Sequence, residues 1–272
     1  MQQINNVDIC IVIPIHKPNL EPYEVISLSR CLYILKDYNI FILTNYSEDV
    51  KKYFNINKKK CTFILAHNWL NGIDSYNKMK IDIKFYELFN DYKYLLTYEL
   101  DSYVFEDKLR YYCNLGYDFI GSPFFQNLSY SYPGEKVIEG MNSGFSLRNI
   151  DSIKTVLGKL KWHIFIAKIM NKLYLGCLIR GHVFIENLFG MKMYNIRLLR
   201  AFLNHRYIHE DVFWTNYVPK VFDKFILPDS IIAIGFGFDA NPKECFRLNN
   251  SKLPFGCHAW NRNLIFWDKF IT

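Results

Sequence analysis

The feature that most restricts the fold of this chain is Asp8–Ile15, DICIVIPI, a nearly continuous apolar and β-branched run interrupted near its end by Pro14. A strand with one wet face alternates apolar and polar residues, whereas a run that is apolar on both faces must be covered on both. It therefore reads as a buried parallel strand that opens into a loop over His16–Pro22. Helical spacing follows over Tyr23–Leu35, then further strands over Asn39–Leu43 and Cys61–Ala66, each ending in polar residues. An amphipathic helix is expected over Ile73–Asn90 and a strand over Tyr94–Tyr98. Strands alternating with helices predict an α/β fold with a mostly parallel central sheet flanked by helices, and such sheets bind ligands beyond the carboxyl ends of their strands.

Glu99-Leu100-Asp101 lies on that edge. In an extended backbone Glu99 and Asp101 share a face, and two carboxylates on one face can hold Mg²⁺ or Mn²⁺. The same triplet also suits a solvated strand end. Further on, a short helix over Asp107–Leu115, a strand over Tyr117–Phe124 and a polar loop over Gln126–Glu139 lead to Glu139-Gly-Met-Asn-Ser-Gly-Phe-Ser-Leu-Arg148. Its two glycines let the backbone approach a ligand and present N–H groups, or simply make a tight turn. His209-Glu210-Asp211-Val-Phe-Trp214 places two acids at a helix start, where they cap, and a capped Asp is also a fixed Asp of the kind a general base needs. A late strand is expected over Ile231–Phe236. Pro254-Phe-Gly-Cys-His-Ala-Trp260 holds a lone histidine, which in isolation is more often structural than a ligand.

Charge separates one segment from the rest. Residues 159–206 hold nine Lys or Arg against a single acid, Glu186, more than the whole net charge of +7. Lys161, Lys168 and Lys172 fall in one helical stripe beside Trp162, Ile166, Ile169 and Leu173. Such a segment suits an anionic lipid surface better than nucleic acid, or else forms a core-packing helical hairpin with snorkelling lysines. Seven scattered cysteines without a Cys-x-x-Cys pair argue for a reducing compartment. With no signal-peptide pattern at Met1–Asp8 and no long uncharged apolar run, a cytoplasmic location is expected, peripheral on the inner membrane face if the basic segment binds lipid.

Taken in order, E-L-D, N-S-G-F-S-L-R, H-E-D-V-F-W and F-G-C-H-A-W resemble the common core of GT-A (Rossmann-like) glycosyltransferases. More narrowly, the L-D strand end, Y-D-F-I-G-S-P, the small-G-F-S-L-R loop, E-D-V-F-W and F-G-x-H are similar to those of a bacterial domain-of-unknown-function family of GT-A-like glycosyltransferases. The resemblance runs from about residue 8 to 260 and implies a single catalytic domain over 1–272, with 159–206 as a basic helical insertion. It implies Mn²⁺ or Mg²⁺ held by Asp101 with Glu99 and His258, and Asp211, beside Glu210, as the base that deprotonates an acceptor hydroxyl. Pro14, His16, Asn45, Asn77, Lys78, Asn142, Ser143 and Gly144 are the implied contacts to a nucleotide-sugar donor. The implied reaction is metal-dependent, inverting transfer from a nucleoside diphosphate sugar, a UDP-sugar foremost, to a surface-glycan or lipid-linked acceptor. Two alternatives stand: a nucleotidyltransferase, which would be expected to carry a glycine where Pro14-Ile15-His16-Lys17-Pro18 has none, and a glycan-binding or membrane-surface scaffold that lost the chemistry.

Overall fold

The computed structural model describes residues 4–54, 61–126, 136–172 and 209–271. Its main sheet has six strands in the order β3-β2-β1-β4-β7-β6, formed by β1 Ile9–Ile15, β2 Asn39–Thr44, β3 Thr62–Leu65, β4 Tyr94–Tyr98, β6 Phe119–Phe125 and β7 Val137–Asn149. Strands β3, β2, β1 and β4 are parallel, and β7 runs antiparallel to both β4 and β6. The α/β class and mostly parallel sheet expected from the sequence are present.

Strand β1 shows why DICIVIPI had to be central. Ile9, Ile11, Ile13 and Ile15 pack on one face with Leu28, Cys31 and Leu32 of the helix Pro22–Ile34. Cys10 and Val12 face the other way, against Phe85, Tyr86, Phe89, Ile153, Leu157 and Trp214. The period-2 alternation thus distributes one apolar run between two cores. A second, small sheet is formed by β5 Tyr103–Val104, β8 Gly237–Phe238 and β9 Gly256–Cys257, in the order β5-β9-β8. Its importance is positional, because it holds the C-terminal segment against the chain that leaves β4.

Four expectations need correction. Ile73–Asn90 is not one helix but two, Ile73–Met79 and Ile83–Glu87, with Asp82 capping the second by accepting from Lys84 N at 3.1 Å. The break lets Lys80 turn inward. Ile231–Phe236 is helical within Ser230–Phe236, where the Asp229 side chain accepts from Ile232 N at 2.9 Å, so a capped start prevails over β-branched composition. The glycine-flanked stretch is not a loop ahead of a strand; it lies inside the thirteen-residue β7, irregular in register against β6. Finally, Glu99 and Asp101 do not continue the extended strand but sit in a turn in which Ser102 N donates to Glu99 O at 2.8 Å.

The basic segment begins inside the helix Ile150–Lys172. The rest of it, with the membrane-surface expectation placed on it, lies outside the described residues. Among the described residues no helix is long and apolar enough to cross a membrane.

Candidate active site

The turn after β4 brings Glu99 and Asp101 to the carboxyl edge of the sheet, and the small sheet delivers their partner. His258 follows β9, its N–H donates to Phe238 O at 2.8 Å, and Trp260 N donates to Asp101 O at 3.2 Å. His258 Nε2 then lies 3.1 Å from Asp101 Oδ1 and 3.4 Å from Glu99 Oε2. Its Nδ1 is 3.2 Å from Asp239 Oδ1, so the ring is aimed by a carboxylate behind it. Gly144 is required here for space: a Cβ at that position would run into the imidazole. Its carbonyl accepts from Glu99 N at 3.0 Å, extending the β4–β7 pairing into the turn.

Glu99, Asp101 and His258 each offer a donor atom, and these atoms all lie within 4.8 Å of one another. Two carboxylate oxygens and one imidazole form a donor set that accepts Mn²⁺ or Mg²⁺, and an imidazole whose other ring nitrogen faces a carboxylate is usual at metal sites. The residues therefore fit the expected cation. Burial alone would pull the His258 pKa down, but Asp101, Asp239 and Glu99 outweigh it and hold the pKa well above its ordinary value. Glu99 shows the converse. Burial pushes its carboxyl up, while Lys80 and His258 more than reverse this and leave it well below the usual range.

Beside the cluster is a cavity of about 380 Å³ whose walls include Pro14, His16, Lys17, Tyr76, Glu99 and Asp101. Two of the expected nucleotide-sugar contacts, Pro14 and His16, thus line it. Others are placed elsewhere. Asn45 is exposed and donates through Nδ2 to His67 O at 2.6 Å, Lys78 is exposed, and neither Lys78 nor Asn77 is among the residues lining the cavity. The Gly144 N–H is used within the chain, by Asn142 Oδ1 at 2.8 Å, and the Ser143 hydroxyl donates to Glu210.

Glu210 and Asp211 are neighbours with different surroundings. Glu210 is 1% exposed and bound by Arg148 Nη2 at 3.2 Å and Lys80 Nζ at 3.1 Å. Glu210 is thus the counter-ion of two buried cations. Asp211 is half-buried, and burial first, then the charge of Glu210, lifts its pKa to about 6. That is a suitable value for a general base near neutral pH.

The reading of the sequence did not single out Tyr76, Lys80, Tyr86, Arg148 or Asp239. The traces they leave are slight: Arg148 is a charge following Phe-Ser-Leu in a strand, and Asp239 is an acid following Gly-Phe-Gly-Phe.

A family model described as a protein of unknown function, DUF5672, matches residues 60–258, well over half of the chain. The chain belongs to the DUF5672 family. The DUF5672 span contains Lys80, Glu99, Asp101, Gly144, Arg148, Glu210, Asp211, Asp239 and His258, and ends on that histidine, while Pro14, His16 and Asn45 precede it. No curated protein matches this DUF5672 member. Among solved structures, mouse xyloside xylosyltransferase 1 in its apo form aligns over 93% of this chain and 97% of its own, with 12% identity and a TM-score of 0.53. At that identity the likeness concerns the fold, which is of the GT-A type. Core-mannan synthase A from Aspergillus fumigatus, in an Mn/GDP form, aligns at 13% identity and TM-score 0.38 over 53% of this chain and 60% of its own, less than two thirds of that protein. The 4-diphosphocytidyl-2C-methyl-D-erythritol synthase from Anaerococcus prevotii aligns at 11% identity and TM-score 0.37, over 57% of this chain and 75% of its own.

Proposed function

We propose that this DUF5672 protein is a metal-dependent glycosyltransferase that moves a sugar from a nucleoside diphosphate donor, UDP-linked in the first instance, to a hydroxyl of a glycan or lipid-linked acceptor. The observation that carries this reading is the convergence of an Asp239-oriented His258 on Glu99 and Asp101, two acids that line a cavity at the carboxyl edge of a GT-A-type sheet.

In the proposed reaction Asp101, Glu99 and His258 hold Mn²⁺ or Mg²⁺, which when bound supplies positive charge to the diphosphate leaving group. Pro14, within the last two residues of β1, and His16, just beyond it, border the donor cavity, and Tyr76 borders it from the neighbouring helix. Asp211 accepts the proton of the acceptor hydroxyl, whose oxygen attacks the anomeric carbon as the bond to the diphosphate oxygen breaks. One in-line displacement of this kind inverts the anomeric centre. The backbone position of Asp211 is fixed by the helix start at Glu210, which Arg148 and Lys80 hold in the core. The whole chain is read as one catalytic domain. Residues 159–206 are assigned the role of a basic insertion facing an anionic membrane surface, with the protein peripheral to the inner face of the cytoplasmic membrane.

The test is a screen of nucleotide sugars with and without Mn²⁺, reading released nucleoside diphosphate. Release that depends on both the metal and Asp101 is expected. Pyrophosphate release from a nucleoside triphosphate and a sugar phosphate would replace this reading with a nucleotidyltransferase. Failure to bind UDP and Mn²⁺ at millimolar concentration would replace it with a scaffold.

A further inference from the structure

We propose that Lys80 is a positioning residue for Glu99: it occupies one oxygen of that carboxylate and leaves the other as the single ligand atom turned to Asp101 and His258. This inference rests on the metal-site reading above and assigns a role to a residue outside the ligand set.

Glu99 is shared unequally. Its Oε1 receives Lys80 Nζ at 2.8 Å and the Tyr76 hydroxyl at 2.8 Å, whereas its Oε2 lies toward His258 Nε2. An oxygen already holding two donors, one of them cationic, is a poor metal ligand, so the carboxylate is restricted to one-oxygen coordination through Oε2.

Lys80 itself has little freedom. It is 2% exposed, its Nζ sits 4.2 Å from the centre of the Tyr76 ring, and the same nitrogen reaches Glu210 Oε1 at 3.1 Å and Ser143 Oγ at 3.3 Å. Its backbone carbonyl accepts from the Tyr86 hydroxyl at 2.7 Å and from Trp214 Nε1 at 3.0 Å. The residue is thus fixed at both ends, at the break between the helices Ile73–Met79 and Ile83–Glu87.

A purely structural lysine would need only Glu210. That acid already has Arg148, whose guanidinium is fully buried beside it. The additional bond from Lys80 goes to a carboxylate that is 26% exposed at the cavity wall, which is where positioning matters and where burial of charge is cheapest.

The experiment is a double-mutant cycle on the full chain with Mn²⁺ alone as the probe, read by isothermal titration calorimetry and by electron paramagnetic resonance of bound Mn²⁺. Lys80→Met is expected to weaken Mn²⁺ binding about tenfold, the lower end of what loss of an outer-shell partner usually costs. Tyr76→Phe, which removes only the hydroxyl, is expected to weaken it about threefold. In a Glu99→Gln background neither change should weaken binding further, since the group they position is no longer a charged ligand. Should Lys80→Met prove unfolded by circular dichroism, Tyr76→Phe and its double variant with Glu99→Gln carry the same cycle. Wild-type affinity in both single variants, or an equal loss with and without Glu99, overturns the role of Lys80 while leaving the metal site standing. Absence of Mn²⁺ binding by the unaltered protein overturns the metal site and this inference together.

Discussion

Two charged clusters meet at Glu99 and differ in composition. On the cavity side, Glu99, Asp101 and Asp239 surround one imidazole, so acids predominate and all three are partly exposed. On the core side, Lys80, Arg148 and Glu210 are 2%, 0% and 1% exposed, and with Glu99 their charges balance. A surplus of carboxylate at a wet wall is a place for a cation to enter. A balanced set in the core is a framework, since leaving any member alone there would cost several kcal/mol. The difference separates acids at a partly exposed wall from an acid held in the core, although all of them look alike in the chain.

The comparison can be broken at several points. The largest effect is expected from Asp101→Ala, on the cavity side. It should lower sugar transfer by about three orders of magnitude, because charge on the leaving group is worth several kcal/mol of stabilisation, while the denaturation midpoint moves little. Arg148→Met, on the core side, should behave oppositely, with about 3 kcal/mol of stability lost in a denaturant titration because Glu210 loses a buried counter-ion. If Arg148→Met instead spares stability and abolishes Mn²⁺ binding, the division into two clusters is wrong.

Asp211 sharpens the boundary through pH. With its pKa lifted to about 6 in the folded protein, turnover should fall as pH drops below that value, since the base is then protonated. The stability sign is the reverse of an ordinary salt-bridged acid. A carboxyl whose folded pKa exceeds its unfolded value of 3.8 favours folding below that value, and the advantage is lost as pH rises through 6. Asp211→Asn should therefore abolish the limb in the pH–rate profile and raise stability at pH 8 by about 2 kcal/mol, a gain that shrinks toward pH 4. A smaller effect is expected from Asp239→Asn, which keeps a hydrogen-bond acceptor for His258 and should weaken Mn²⁺ affinity by about tenfold, measured by calorimetry.

Much of the frame was legible beforehand. The apolar runs at β1, β2, β3 and β4 and their alternation with helical spacing were enough to read a parallel sheet and to place Glu99 and Asp101 on its ligand-binding edge. Ile231–Phe236 was misread because β-branched residues fit either element, and the cap at Asp229 decides which forms. Ile73–Asn90 reads as continuous because its periodicity passes through Lys80; the Asp82 cap restarts the helix at Ile83, and Lys80, at the break, is buried between Glu99 and Glu210.

By itself the chain determined a sheet buried on both faces, the edge at which acids could act, and the residue types at four ordered motifs. These follow from local rules, the period of side chains along a strand and the chemistry of capping groups. Only the tertiary structure decided which acid lies in which surroundings. The small sheet β5-β9-β8 brings His258 against Asp101, Gly144 leaves room for the ring, and Lys80 and Arg148 draw Glu210 into the core while Asp211 stays half-buried. The role of a carboxylate depends on the charges and the solvent within a few ångströms of it, and those neighbours come from distant parts of the chain.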